Sequence, residues 1–139
     1  MTLAAVDTNI LIYALLERGP ERKRDIAQAL LLELSSTGNC IISTQVLKEF
    51  ASVATRKFTP KISEQELIAH LEDLQLLNVV LVDAALVREG VRRQFKSQLS
   101  FYDALIIEAA IAGGAELLYS EDLQHGMRFD KLRVVNPFL

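Results

Sequence analysis

The sequence has no tryptophan, one cysteine, two histidines and three prolines in 139 residues. A single cysteine excludes a disulfide framework and suits a reducing compartment. Cys40 opens an apolar run (Cys40-Ile41-Ile42), which suits a small core side chain better than a catalytic thiol. With only His70 and His125 available, one on an expected helix and one in an expected loop, both are read as surface residues. Acid–base catalysis by paired histidines is therefore disfavoured. Long hydrophobic runs are missing too. Ile10 to Leu16 spans seven residues, against the ~20 needed to cross a bilayer. It follows Asp7 and Asn9 rather than a basic leader, so the expectation is a cytoplasmic protein without a membrane segment.

What is present is an aliphatic composition, 50% hydrophobic and 24% charged, with a net charge of −3. The length fits one domain, residues 1–139, able to bury a full core without a staple. The negative balance disfavours a strong non-specific grip on nucleic acid. An acidic metal site would add to that balance by itself.

Short aliphatic runs alternate with helical patterns. The runs are Leu3 to Val6, Cys40 to Ser43, Val79 to Val82, Leu117 to Tyr119 and Leu132 to Val135. All but the last are aliphatic on consecutive positions, the mark of strands buried on both faces. Between them, 22–35, 44–56, a helix opening at Ser63 with Ser-Glu-Gln-Glu, 84–98 and 101–112 carry helical spacing or helix caps. Gly38 and Asn39 close the first of these, and Gly113 with Gly114 the last. Such alternation predicts a three-layer α/β/α domain on five parallel strands. Ligands of such sheets bind beyond the carboxyl ends of the strands.

Four acids fall near that edge. Asp7 follows the first strand in Val6-Asp7-Thr8-Asn9, where it also suits a helix cap. Glu49 borders the apolar stripe of the helix after the second strand, where a solvated side chain is the plain alternative. Asp103, in Ser100-Phe101-Tyr102-Asp103-Ala104, shares a helix face with Ile106, Ile107 and Ala110, while Glu108 points the other way. A carboxylate there is costly unless paired or bound to metal, although a capping box with Ser100 also tolerates it. Asp122 follows the fourth strand in Ser120-Glu121-Asp122-Leu123, in what is otherwise a polar turn, with Glu121 as a possible substitute. Four carboxylates on one rim repel unless a cation joins them, and oxygen ligands select Mg²⁺ or Mn²⁺.

Val6-Asp7-Thr8-Asn9-Ile10-Leu11, Glu49, Ser100-Phe101-Tyr102-Asp103-Ala104 and Ser120-Glu121-Asp122-Leu123 together resemble the acidic motifs of the PIN-domain family. The nearest likeness is to the toxin ribonucleases of VapBC toxin–antitoxin pairs. The hydroxyl-x-Asp form of the fourth motif selects Asp122 over Glu121. The resemblance implies a sheet of order 3-2-1-4-5, one or two Mg²⁺ or Mn²⁺ ions and endonucleolytic cleavage of RNA. It assigns the metal to Asp7 and Asp103 most directly, with Glu49 and Asp122 completing the site. Thr8, Asn9 and Ser120 would orient carboxylates or waters. It further implies a homodimer and a cognate antitoxin, for which Ile10 to Leu16 and Leu67 to Leu77 are candidate contacts beside their use in the core.

Basic residues cluster at Arg18, Arg22, Lys23 and Arg24, at Arg56, Lys57 and Lys61, and at Arg88, Arg92, Arg93 and Lys96. Arg56 and Lys57 leave the helix that carries Glu49 and are the candidates for RNA phosphates. Two other readings remain. An aspartyl-nucleophile phosphatase or phosphotransferase also places Asp after the first strand, but position 9 is Asn and no lysine partner is evident. A non-catalytic nucleic-acid-binding scaffold is the other, and four retained acids argue against it.

Overall fold

A computed structural model describes residues 2–56 and 62–139. In chain order the elements are β1 (Ala4–Val6), α1 (Thr8–Leu16), α2 (Glu21–Ser36), β2 (Cys40–Ser43), α3 (Thr44–Ala54), α4 (Glu64–Leu74), β3 (Asn78–Val80), α5 (Ala84–Ser97), α6 (Phe101–Ala112), β4 (Leu117–Tyr119), β5 (Arg128–Phe129) and β6 (Leu132–Val135). The aliphatic runs form the strands because consecutive Val, Ile, Leu and Ala suit a strand covered on both sides. Every residue of β1 and β2 is buried.

The sheet order is β3-β2-β1-β4-β6-β5. The four pairings that join β3, β2, β1, β4 and β6 leave a parallel core in the order expected, with β6 in fifth place. Two corrections concern the edges. A two-residue β5 adds a sixth, antiparallel strand through Arg128↔Arg133 and Phe129↔Leu132. A segment so short carries no periodicity to read. At the other edge β3 is only partly covered, so it is not a strand buried on both faces.

β1 lies at the centre. From it the chain steps outward to β2 and β3, then crosses to β4 on the other side. The reversal between β1 and β4 is the topological switch point where α/β sheets open a crevice. The Asp7 amide donates to the Tyr119 carbonyl at 3.0 Å, carrying the β1–β4 pairing to that crevice.

Helix α6 is buried at 104–107 and again at Ala109 and Ala110, because it lies between α5 and the strands β2 and β3. Its end needs Gly113: a Cβ there would stand 2.9 Å from both Ile41 Cγ2 and Val80 Cγ2. Glu108, expected to point away from the face of Asp103, faces α5, where it accepts from Arg93 Nε at 2.7 Å. Arg93 is 9% exposed and also reaches Asp130 at 3.3 Å. It is therefore a structural clamp, not a free member of a basic cluster. Ile10 to Leu16 falls within α1 and packs largely into the core, with Ile10 and Leu11 fully enclosed and Tyr13, Leu15 and Leu16 partly exposed.

Candidate active site at the carboxyl edge of the sheet

The four acids are carried by the ends or starts of different elements. Asp7 caps α1 directly after β1: its Oδ1 accepts from the Thr8 amide at 2.7 Å. Asp7 thus caps α1 and also lines the cleft, so the cap does not remove it from the candidate site. Asp7 is 8% exposed, and its Oδ2 accepts from Ser120 Oγ at 2.8 Å. Burial is the main cause that pushes its carboxyl from 3.8 up to about 6. The hydrogen bonds from Ser120 and Thr8 oppose that rise, and the charges of Asp122 and Glu49 add to it.

Thr8 passes the network on. Its Oγ1 donates to Glu49 Oε1 at 2.9 Å, fixing the half-buried Glu49 one turn into α3. Ser120, fully buried, also accepts from the Asp122 amide at 3.2 Å and so shapes the turn after β4. Asn9 Nδ2 lies 3.4 Å from Asp122 Oδ2 and 3.3 Å from Glu121 Oε1. Glu121 turns away into a polar knot. It accepts from the Tyr13 hydroxyl and from Lys23 Nζ, the latter at 2.8 Å. Those contacts and that of Asn9 hold its carboxyl below the usual range, against the opposing effect of burial. Asp122 is left facing the cleft. Burial, then the charges of Glu121 and Asp103, raises its carboxyl.

Asp103 sits in the first turn of α6, capped by Ser100 Oγ at 3.2 Å from its amide. Its side chain is half-exposed at the open cleft rather than sunk among apolar groups. The acid that burial acts on most is Asp7. The wheel placed Asp103 correctly beside Ile106, but the helix start lies where the layers part.

All four acids, with Thr8 and Asn9, line one cleft of about 540 Å³. Its rim includes Lys48, Arg56 and Tyr102, and its wall includes Gln45. Arg56 is exposed, while Lys57 lies outside the described residues. Gln45 and Tyr102 had no distinguishing signal in the sequence. Gln45 Nε2 donates to the Tyr102 carbonyl at 3.3 Å, and its Oε1 is buried without a partner.

Several of the other candidate cations are engaged. Arg22 donates to the Phe138 carbonyl, Arg18 to that of Val53, and Arg92 pairs with Glu89. His70 is half-buried and meets Phe50 edge to face, and His125 is exposed with Nδ1 accepting from the Asn136 amide. Cys40 is buried, and burial pushes its thiol up to about 12.

The donor set is all oxygen. Among the described residues no three acidic, histidine or cysteine side chains form a ready-made ligand cluster. Oxygen donors of this kind are the chemistry that suits a hard cation such as Mg²⁺, which takes one or two carboxylates directly. The orphaned Gln45 Oε1 and the acidic neighbours that raise Asp7 and Asp122 leave room for a cation in this cleft.

Residues 4–132 match the PIN domain family. The chain belongs to that family. A comparison with curated proteins gives no match. Among solved structures, one similar fold is a toxin–antitoxin complex from Klebsiella pneumoniae, at 20% identity and a TM-score of 0.67, covering 96% of this chain and 97% of the other. Another is VapBC2 from Rickettsia felis bound to a DNA fragment from their promoter, at 23% identity, a TM-score of 0.64 and the same coverages. A third is Mycobacterium tuberculosis VapC20, a sarcin–ricin loop cleaving toxin, at 19% identity and a TM-score of 0.58, covering 84% of this chain and 88% of that one. At these identities the likeness concerns the fold. Among the described residues, no helix is long and apolar enough to cross a membrane.

Proposed function

We propose that this chain is a Mg²⁺- or Mn²⁺-dependent endoribonuclease, the toxin of a VapBC-type pair. The observation that carries the reading is the lining of one cleft by Asp7, Glu49, Asp103 and Asp122, drawn from four separate segments of a PIN-family chain. Asp7 and Asp103 would hold the ion most directly, and Glu49 and Asp122 would complete the site. When bound, such an ion acidifies the attacking water and stabilises charge on the phosphate. The protein's own part is to fix its carboxylates. Ser120 and the Thr8 amide hold both oxygens of Asp7, Thr8 Oγ1 holds Glu49, and Asn9 steadies Asp122. Such supporting contacts set ligand orientation and are costly to lose.

Arg56 is the described candidate for phosphate contact. The antitoxin and a homodimer are proposed from the likeness to toxin–antitoxin complexes. An exposed apolar stripe on α5, Val87, Val91 and Phe95, gives a partner something to cover. The decisive experiment is RNA cleavage with added Mg²⁺ or Mn²⁺ by wild type and Asp103→Asn. Cleavage should need the metal and should vanish in the variant while its circular dichroism stays native. Undiminished cleavage by Asp103→Asn in EDTA would remove the proposal.

A further inference from the structure

Tyr102 stands at the mouth of the acid-lined cleft with 64% of its surface exposed. The positions that follow Asp103, from Ala104 to Ile107, are all buried, so the exposed ring marks the point where α6 emerges. The ring is backed. Phe101 meets it edge to face, with centroids 5.3 Å apart and planes at 68°. Phe101 in turn is lodged against Gly90 of α5, where an added Cβ would come within 3.3 Å of its ring. The backbone is tied as well, because Gln45 of α3 donates to the Tyr102 carbonyl. An aromatic plate, braced from two helices, is thus presented one residue from Asp103. The exposed cations Lys48 and Arg56 line the same cleft.

We propose that Tyr102 is a stacking platform for a nucleobase next to the phosphate that is cut. The inference rests on the ribonuclease reading and deepens it. Inside a duplex both faces of a base are covered by its neighbours, so a protein ring can take only a base that has left the stack. Stacking tolerates any base, since each has a π-face. It is also uncharged, so the acidic floor that repels phosphate does not oppose it. Lys48 and Arg56 then serve the backbone on the rim, and Tyr102 fixes where the chain lies relative to Asp103. Tyr102 is a positioning residue: it acts on binding and register, with the chemistry left to the acids.

The test uses a single-stranded oligoribonucleotide carrying 2-aminopurine. Its binding and fluorescence are followed on an Asp7→Asn background that prevents cleavage. Quenching should occur with Tyr102 and survive in Tyr102→Phe and Tyr102→Trp. Tyr102→Ala should lose the quench and bind roughly 5- to 150-fold more weakly. A blunt duplex of the same sequence should bind Tyr102→Ala and Tyr102 proteins alike. Equal quench and affinity for Tyr102 and Tyr102→Ala would overturn the proposal, as would a Tyr102→Phe variant as weak as Tyr102→Ala. In the otherwise wild-type protein, Tyr102→Ala should raise KM for cleavage far more than it lowers kcat. Cleavage that is absent with Mn²⁺ while the quench persists defeats the nuclease reading and leaves the platform. Cleavage that is intact with no effect of Tyr102→Ala defeats the platform alone.

Discussion

Asp7 carries a cost that can be measured without any substrate. Its carboxyl is raised from 3.8 to about 6, chiefly by burial, so the folded state holds a proton that the unfolded state releases. Stability from this group is therefore present below about pH 4 and is lost as pH climbs through about 6, by about 3 kcal/mol in all. In EDTA, urea unfolding of the wild type should show that decline, and Asp7→Asn should lack it. Asp7→Asn should then be the more stable protein near pH 7, although inactive. A wild-type profile flat from pH 4 to 7 would contradict the burial of this carboxylate. The acids were legible in the sequence for an identifiable reason: each ends a strand or opens a helix, and the parallel topology sends those points to one rim. Which acid is buried was not legible. Asp103 appeared the more enclosed on its helix face, but where helix layers separate is a tertiary fact. Choosing Asp122 over Glu121 rested on a hydroxyl-x-Asp pattern. The physical distinction, Glu121 held by Tyr13 and Lys23, joins segments about a hundred residues apart.

Among the elements, the α5–α6 pair shows what a helical wheel leaves out. The wheel set Glu108 away from Asp103 correctly, yet that side meets Arg93 rather than water. Removing one member of a buried pair strands the other. Arg93→Ala should cost about 3 kcal/mol, while Arg93→Met with Glu108→Leu should recover much of it, read by urea denaturation. Equal losses in the single and double variants would argue against the clamp. On α5 the basic run is solvated at Arg88, Arg92 and Lys96, with Arg93 turned inward, and Val87, Val91 and Phe95 are exposed apolar positions beside it. Their spacing was readable, but α5's other contacts were not. Phe95→Asp should leave cleavage by the monomer intact and reduce assembly in light scattering. An unchanged mass would take this helix out of the dimer proposal.

For the molecule as a whole, metal binding and folding are linked. An ion that binds only the folded chain raises its stability by about 2.7 kcal/mol at a hundred times its Kd. Mn²⁺ should therefore raise Tm in the wild type and much less in Asp103→Asn. Equal shifts in both proteins would place the ion elsewhere. RNA affinity should fall as salt rises, and Arg56→Ala should flatten that slope by about one phosphate contact. The parallel, three-layer class followed from the alternation of strands and helices, and the order of the five strands from the family resemblance. β5 and the exposed edge at β3 did not, since neither leaves a pattern longer than a few residues.

The backbone bond from Asp7 to Tyr119 sets the timescale on which the cleft can come apart. An amide paired between the two central strands exchanges its hydrogen with solvent only when the domain opens globally. The Asp7 amide should thus be among the slowest in the protein, whereas the Asp103 amide, held by the Ser100 hydroxyl in the first turn of α6, should exchange sooner. Hydrogen exchange would then rank the acids by the depth of the element that bears each, with the innermost carboxylate, Asp7, the last to label.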